Sequence, residues 1–145
     1  MKVVVQRVKM ANVSVDEQVI NQIDFGLLLL VGLSKEDGLD QLTWMAHKVV
    51  NLRIFERDGL MQDSVLDMGG EILAVSQFTL VADCRKGKRP SFTNAMHPDQ
   101  ARPMFDRFVG LLEKELGQSV AIGQFGANMQ VALVNDGPVT IVLDR

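Results

Sequence analysis

The chain has 145 residues, 47% of them hydrophobic and 23% charged. That excludes a disordered or fibrous protein and lets one domain bury roughly 68–70% of its unfolded surface. Its net charge of −3 excludes nucleic-acid binding through a globally basic surface, and the single Cys84 excludes an internal disulfide or a cysteine-built zinc site, so a reducing compartment is expected.

From the N-terminus, Met1 to Arg7 turns polar too early for a signal peptide, and the longest apolar run, near residues 25–33, is too short to span a bilayer. A cytoplasmic protein with no membrane partner is expected. Residues 3–8 alternate as a strand, and 11–15 with 19–23 read as a hairpin turning at Asp16-Glu17-Gln18. Residues 27–33 are uniformly apolar, which suits a central strand covered on both faces. Residues 40–51 switch to helical spacing, with Leu42, Met45, Ala46, Val49 and Val50 on one face and Gln41, Lys48 and Asn51 opposite. Ile54-Phe55 predicts a short strand before an Asp58-Gly59 turn, and 71–75 a buried strand. A second helix is predicted over 99–116, its stripe made of Met104, Phe105, Phe108, Leu111, Leu112 and Leu116. Pro98 suits its first turn. Pro103 means that the helix either starts late or bends. Residues 119–124, 127–134 and 139–143 read as three strands. The order predicts an α/β chain, β-β-β-α-β-α-β-β-β plus short strands, in a single domain over 1–145.

Two segments carry chemistry. Ser76-Gln77-Phe78-Thr79 follows a buried strand with two hydroxyls, an amide and backbone N–H groups able to orient or polarise a carbonyl. Taken alone it also reads as a capped strand end. Asn135-Asp136-Gly137-Pro138-Val139-Thr140 lies between two apolar runs. Glycine takes dihedrals that other residues avoid, and a bond to proline reaches cis at a cost of about 0.5–1 kcal/mol. The segment reads either as a hairpin turn or as a place that presents peptide carbonyls. Arg85, Lys86, Lys88 and Arg89 fall within five positions, a solvated loop or a local phosphate clamp. His47 and His97 have nothing to pair them on a metal. There is no phosphate loop, Gly-x-Gly-x-x-Gly or Cys-x-x-Cys, and spacing singles out no carboxylate pair among Asp83, Asp136 and Asp144. A hydrolase on this chain is expected to work without a strong base, a metal or a cofactor.

In these relative places the two motifs resemble the D-aminoacyl-tRNA deacylase family. So do Val5-Gln6-Arg7-Val8, Arg53-Ile54-Phe55, Arg89-Pro90-Ser91-Phe92 and Phe125-Gly126-Ala127-Asn128-Met129. Six blocks in order across the chain make the resemblance specific. It implies layered sheets (β/β/α) with two main helices, and a homodimer that hydrolyses the ester of D-aminoacyl-tRNA. The implied partner is the aminoacylated 3′ end of tRNA, not DNA. Ser76, Gln77, Phe78 and Thr79 form the implied catalytic segment. Gly137-Pro138 is implied to be cis and to enter the partner subunit's site, where its carbonyls face the α-ammonium and fill the space of an L side chain. Glycyl-tRNA, with no side chain, would also be cleaved. Arg7 is expected to hold this segment by donating to carbonyls, with Asn135 in support; alone, Arg7 reads equally as a surface ion pair.

Lys86, Lys88 and Arg89 are the expected tRNA contacts. Phe125 and Met129 flank the terminal adenine or pack in the core, and Phe92 is open in the same way. Aminoacyl esters are labile, so positioning and carbonyl polarisation supply most of the acceleration. Thr79 has no adjacent base to make it a nucleophile. Attack by water, assisted by the neighbouring 2′-hydroxyl, is the preferred reading. Cys84, where a hydroxyl residue is expected in relatives, and Pro103 depart from the pattern without touching either motif. An RNA-binding module and a small-molecule esterase using Thr79 compete with this reading. The polar set after the strand argues against the first, the missing base against the second.

Overall fold

The elements run β1 (Lys2–Val15), β2 (Gln18–Ile23), β3 (Gly26–Gly32), α1 (Leu39–Val50), β4 (Phe55–Arg57), β5 (Leu60–Asp63), β6 (Glu71–Ser76), a 3₁₀ turn (Phe78–Val81), α2 (Pro98–Leu116), β7 (Ala121–Ile122) and β8 (Gln130–Asp144) in a computed structural model that describes residues 1–145. Strand β1 organises them because its length serves two partners on one edge. Residues 2–8 pair with β3 and residues 11–15 with β2, both antiparallel. The expected strands 3–8 and 11–15 are thus one. Lys9 and Met10, both exposed, sit where that edge passes between partners and interrupt the alternation. Asp16 and Glu17 close the β1–β2 hairpin with φ of 49° and 65°, the positive pair that a two-residue turn requires.

The other edge of β1 pairs with β8 along nearly its whole length. Residues 130–134 face 10–14, and residues 140–144 face 2–6. Asn135-Asp136-Gly137-Pro138 is therefore not a hairpin turn. The two apolar runs around it pair with β1 one after the other, and residues 136–139 bulge out opposite Arg7. The expected element order holds, with its last two strand segments joined end to end.

Parallel pairing extends β3 to β6 and β6 to β7. Leu27, Leu29, Val31, Ile72 and Ala74 face the helices, where they meet Leu42, Met45 and Val49 of α1 and Phe105, Phe108 and Leu112 of α2. Leu28, Leu73 and Val75 face the opposite way, toward Val8, Ala11, Val13 and Ile23. The outer half of β1 with β2 thus folds over β6 and β7 as a second sheet layer, pinned by Asn21 Nδ2 donating to Ile122 O at 2.7 Å. This is the β/β/α layering. Each valine, leucine, isoleucine, phenylalanine or methionine fully buried in these cores contributes roughly 1.5–3 kcal/mol.

Both helices follow the apolar spacing. Leu42, Met45, Ala46, Val49 and Val50 are all buried. Helix α2 begins at Pro98, is capped by His97, and ends at Gly117, whose φ is 76° and whose N–H donates to Glu113 O at 2.8 Å. It does not start late: Pro103 lies inside it. Pro103 is exposed, so the carbonyl it leaves without a partner, that of Asp99, belongs to the solvated first turn.

Candidate active site

Strand β6 carries Ser76 to the end of the sheet, where Gln77 N–H donates to Val31 O at 2.7 Å and the chain tightens into the 3₁₀ turn. Ser76 and Gln77 are half-buried, while Phe78 and Thr79 are exposed. Ser76, Gln77 and Phe78 form one wall of a cleft of about 630 Å³. Its floor is Val31, Leu33, Val75 and Phe105; Phe125 to Met129 form a second wall, and Phe92 with the start of α2 a third. Thr79 does not line it. The Thr79 hydroxyl accepts a short hydrogen bond from Gln77 Nε2, so it orients the amide rather than facing the cavity.

Phe125 and Met129 both line the cleft and both pack against core side chains, Phe105 lying 6.2 Å from Phe125 ring to ring. The two readings of these residues are therefore compatible. His97 also lines the cleft, a position that its place in the sequence did not reveal. Its Nδ1 accepts from Asp99 N–H and sits 3.4 Å from Asp99 Oδ2. The one strongly shifted carboxyl nearby is that of Asp83, held well below the usual carboxylate range by hydrogen bonds from the Arg85 side chain and backbone. A carboxylate so stabilised is a poor proton acceptor. No group of three or more His, Cys, Asp or Glu side chains is placed to hold a metal ion.

The basic run divides. Arg85 is bound to Asp83, with Nε 2.9 Å from Oδ1 and Nη2 2.6 Å from Oδ2. Lys86, Lys88 and Arg89 are exposed on the same loop and take part in no ion pair. None of the three lines the cleft.

Residues 136–139 form the second constellation. Arg7, expected to read as a surface ion pair or as a clamp, is only 5% exposed. Its Nη1 donates to Ile54 O at 2.6 Å, and its Nε to Asp136 O at 3.2 Å and toward Asp136 Oδ2 at 3.2 Å. An arginine almost never buries without such partners, so its burial identifies a clamp. Gly137 has φ of 116°, and its peptide bond to Pro138 is cis. A Cβ on Gly137 would stand 2.8 Å from Arg7 Nη2 and 2.9 Å from Val139 Cγ2, so another residue here would be strained by the positive φ and would push the guanidinium aside. The neck of the bulge is closed by side chains. Thr140 Oγ1 donates to Gln6 Oε1 at 2.6 Å, and Asn135 Nδ2 donates to the same oxygen at 3.1 Å. Gln6 and Thr140 carried no such expectation from sequence, because the register that joins them is visible only in the fold. Gly137 and Pro138 are exposed and do not line the cleft of their own chain.

Residues 4–144 match the model of the D-Tyr-tRNA(Tyr) deacylase family. The chain is 53% identical over 145 residues to a D-aminoacyl-tRNA deacylase of Chlorobaculum parvum, covering 99% of this chain and 97% of the relative. Among solved structures, the c-Myc DNA unwinding element binding protein superposes with a TM-score of 0.93 at 44% identity, over 100% of this chain and 99% of that one. A probable eukaryotic D-amino acid tRNA deacylase shares the fold, with a TM-score of 0.84 at 17% identity over 99% and 98% of the two chains.

Proposed function

The chain belongs to the D-Tyr-tRNA(Tyr) deacylase family and is a hydrolase of the D-aminoacyl-tRNA ester; from that premise we propose that it acts as a cytoplasmic homodimer whose subunits complete each other's sites. The single domain over 1–145 supplies both halves of the site, but not to the same cavity. The ester enters the cleft beside Ser76 and Gln77, with the adenosine toward Phe125 and Met129. The Phe78 backbone N–H and the Gln77 amide, both on the cleft wall, polarise the carbonyl as it becomes tetrahedral. Water attacks, helped by the 2′-hydroxyl next to the ester. Thr79 keeps the Gln77 amide in place. No metal or cofactor enters the scheme.

Chirality is read by exclusion. The Gly137-Pro138 bulge of one subunit reaches the partner's cleft and fills the volume of an L side chain, while its carbonyls meet the α-ammonium. Rejection by rigid backbone works for any side chain. It also leaves glycyl-tRNA unprotected. Lys86, Lys88 and Arg89 hold the tRNA phosphates, and DNA is not a substrate. One observation carries this reading: Arg7 and the buried Val139 anchor the bulge on either side of Gly137-Pro138, yet those two residues stand exposed and away from their own cleft. The test is release of amino acid from matched D-Tyr-, L-Tyr- and Gly-tRNA by purified protein without added metal. D-Tyr and Gly should be released and L-Tyr retained. Equal release of D and L would remove the filter from the scheme.

A further inference from the structure

The basic loop and the cleft meet at a pair of rings that the proposed chemistry leaves unused. Residues 83–91 leave the 3₁₀ turn and return through a two-way backbone bridge. Asp83 N–H donates to Ser91 O at 2.8 Å, and Ser91 N–H donates to Asp83 O at 2.9 Å. Phe92 follows directly, and its ring meets that of Phe78 edge to face, 5.1 Å between centroids at 66°. Both rings line the mouth of the cleft, yet Phe92 is 40% and Phe78 56% exposed. Large aromatic surface is strongly driven out of water. Two rings left in it, at the mouth of a cleft and at the root of a loop with three free cations, are placed to receive a flat ligand attached to an anion.

We propose that the Phe78–Phe92 pair is a stacking platform for the nucleobase that precedes the terminal adenosine of the tRNA 3′ end. This rests on the reading of the cleft as the site of the aminoacyl-adenosine. With the ester at Ser76 and Gln77, the rest of the RNA strand leaves through the mouth. Its phosphates are drawn toward Lys86, Lys88 and Arg89, and the next base is brought over the rings. Stacking of this kind senses that a base is present and not which base it is, since every base has a π face. Phe92 is the positioning residue of the pair, because Phe78 also belongs to the polar wall.

The test measures affinity of the full-length protein for an uncharged acceptor-stem hairpin ending in single-stranded CCA, its penultimate nucleotide either intact or abasic. Wild-type protein should prefer the intact hairpin by roughly tenfold, with little difference between cytosine and uracil there. Phe92→Ala should bring the intact-to-abasic ratio close to one, and Phe92→Tyr should keep it. The ratio cancels any general loss of affinity, so a weakened fold does not imitate the result. An unchanged ratio in Phe92→Ala overturns the platform, as does a wild-type protein indifferent to the abasic position. Failure of the underlying deacylase reading would show separately, as no release of D-amino acid from charged tRNA.

Discussion

Ser76 to Thr79 and Asp136 to Val139 are both short interruptions of strand structure, and they are held in opposite ways. The first is tied to β3 by the Gln77 N–H to Val31 O bond and otherwise held only by its own 3₁₀ turn and a Gln77–Thr79 side-chain contact, with Phe78 and Thr79 in solvent. The second is gripped by a buried guanidinium and closed at its neck by Gln6, Asn135 and Thr140. Polar groups that polarise a labile ester gain from being accessible and modestly placed. A filter that works by excluding volume cannot yield by even an ångström. On the proposed reading, the one buried arginine holds the segment that has to be rigid.

The largest effect should follow from breaking that grip. Arg7→Ala leaves the Ile54 and Asp136 carbonyls without their donor and the Asp136 carboxylate with only Lys9, at 3.7 Å. Removing one partner of a buried charged network costs about 3 kcal/mol or more, read as a lower urea midpoint at unchanged slope. Among molecules that remain folded, the D-over-L ratio of released amino acid should collapse. A variant equally destabilised in the core, Leu29→Ala, should keep the ratio, since it loosens a different part of the sheet. If both variants lose selectivity together, rigidity of the bulge is not what Arg7 provides.

The same contrast can be divided between subunits. Gly137→Ala puts a Cβ where Arg7 Nη2 and Val139 Cγ2 already stand, and a Ser76→Ala/Gln77→Ala double variant removes the polar wall. Neither parent should hydrolyse D-Tyr-tRNA selectively. In a freely exchanged equal mixture half the dimers are mixed, and each mixed dimer has one site with both intact halves, so about a quarter of the sites should recover. Exchange followed by labelled subunits, with no recovery, would place the bulge in its own chain's chemistry.

How much of this is legible in the sequence follows from the range of the interactions involved. Helix α1 could be read completely, because Leu42, Met45, Ala46, Val49 and Val50 repeat with a local period and all five are buried. Strand β3 was legible as covered on both faces for the same reason. The continuity of β8 was not. Asn-Asp-Gly-Pro is strong local punctuation, and what overrides it is pairing with β1, far away in the chain. The burial of Arg7 was equally out of reach, since the default for an arginine is the surface and its partners come from residues 54 and 136. The Ser76–Phe78 wall could be read as a motif after a strand. That Thr79 turns away could not, because the 3₁₀ geometry decides it.

The basic loop should respond less than either half of the site, and in a different observable. With Arg85 held by Asp83, three cations remain for phosphate. Replacing Lys86, Lys88 and Arg89 with Ala should lower the slope of log affinity against log salt by roughly 2, at about 0.7–0.9 per phosphate contact. The full tRNA should lose far more in kcat/KM than D-Tyr-adenosine does, and the loss should sit in KM. Equal losses on both substrates would mean that the loop supports the cleft wall rather than the tRNA body.

The smallest effect is expected at Thr79, and it separates two roles for one hydroxyl. If that oxygen only accepts from the Gln77 amide, as its contact and its position outside the cleft indicate, Thr79→Ala removes one neutral hydrogen bond at the surface. Such a bond is worth about 0.5–1.5 kcal/mol, so kcat on D-Tyr-tRNA should fall by roughly tenfold or less, with the D-over-L ratio unmoved. Thr79→Ser keeps the acceptor and should recover most of the rate. A nucleophilic threonine behaves otherwise: Thr79→Ala would abolish turnover in a folded, tRNA-binding protein, and rapid quenching of the wild type would trap an acyl ester on Thr79. Either result would transfer the chemistry from water to the side chain. The segment held most loosely would then be the one that needs the most exact placement, and the contrast with the Arg7 clamp would fail.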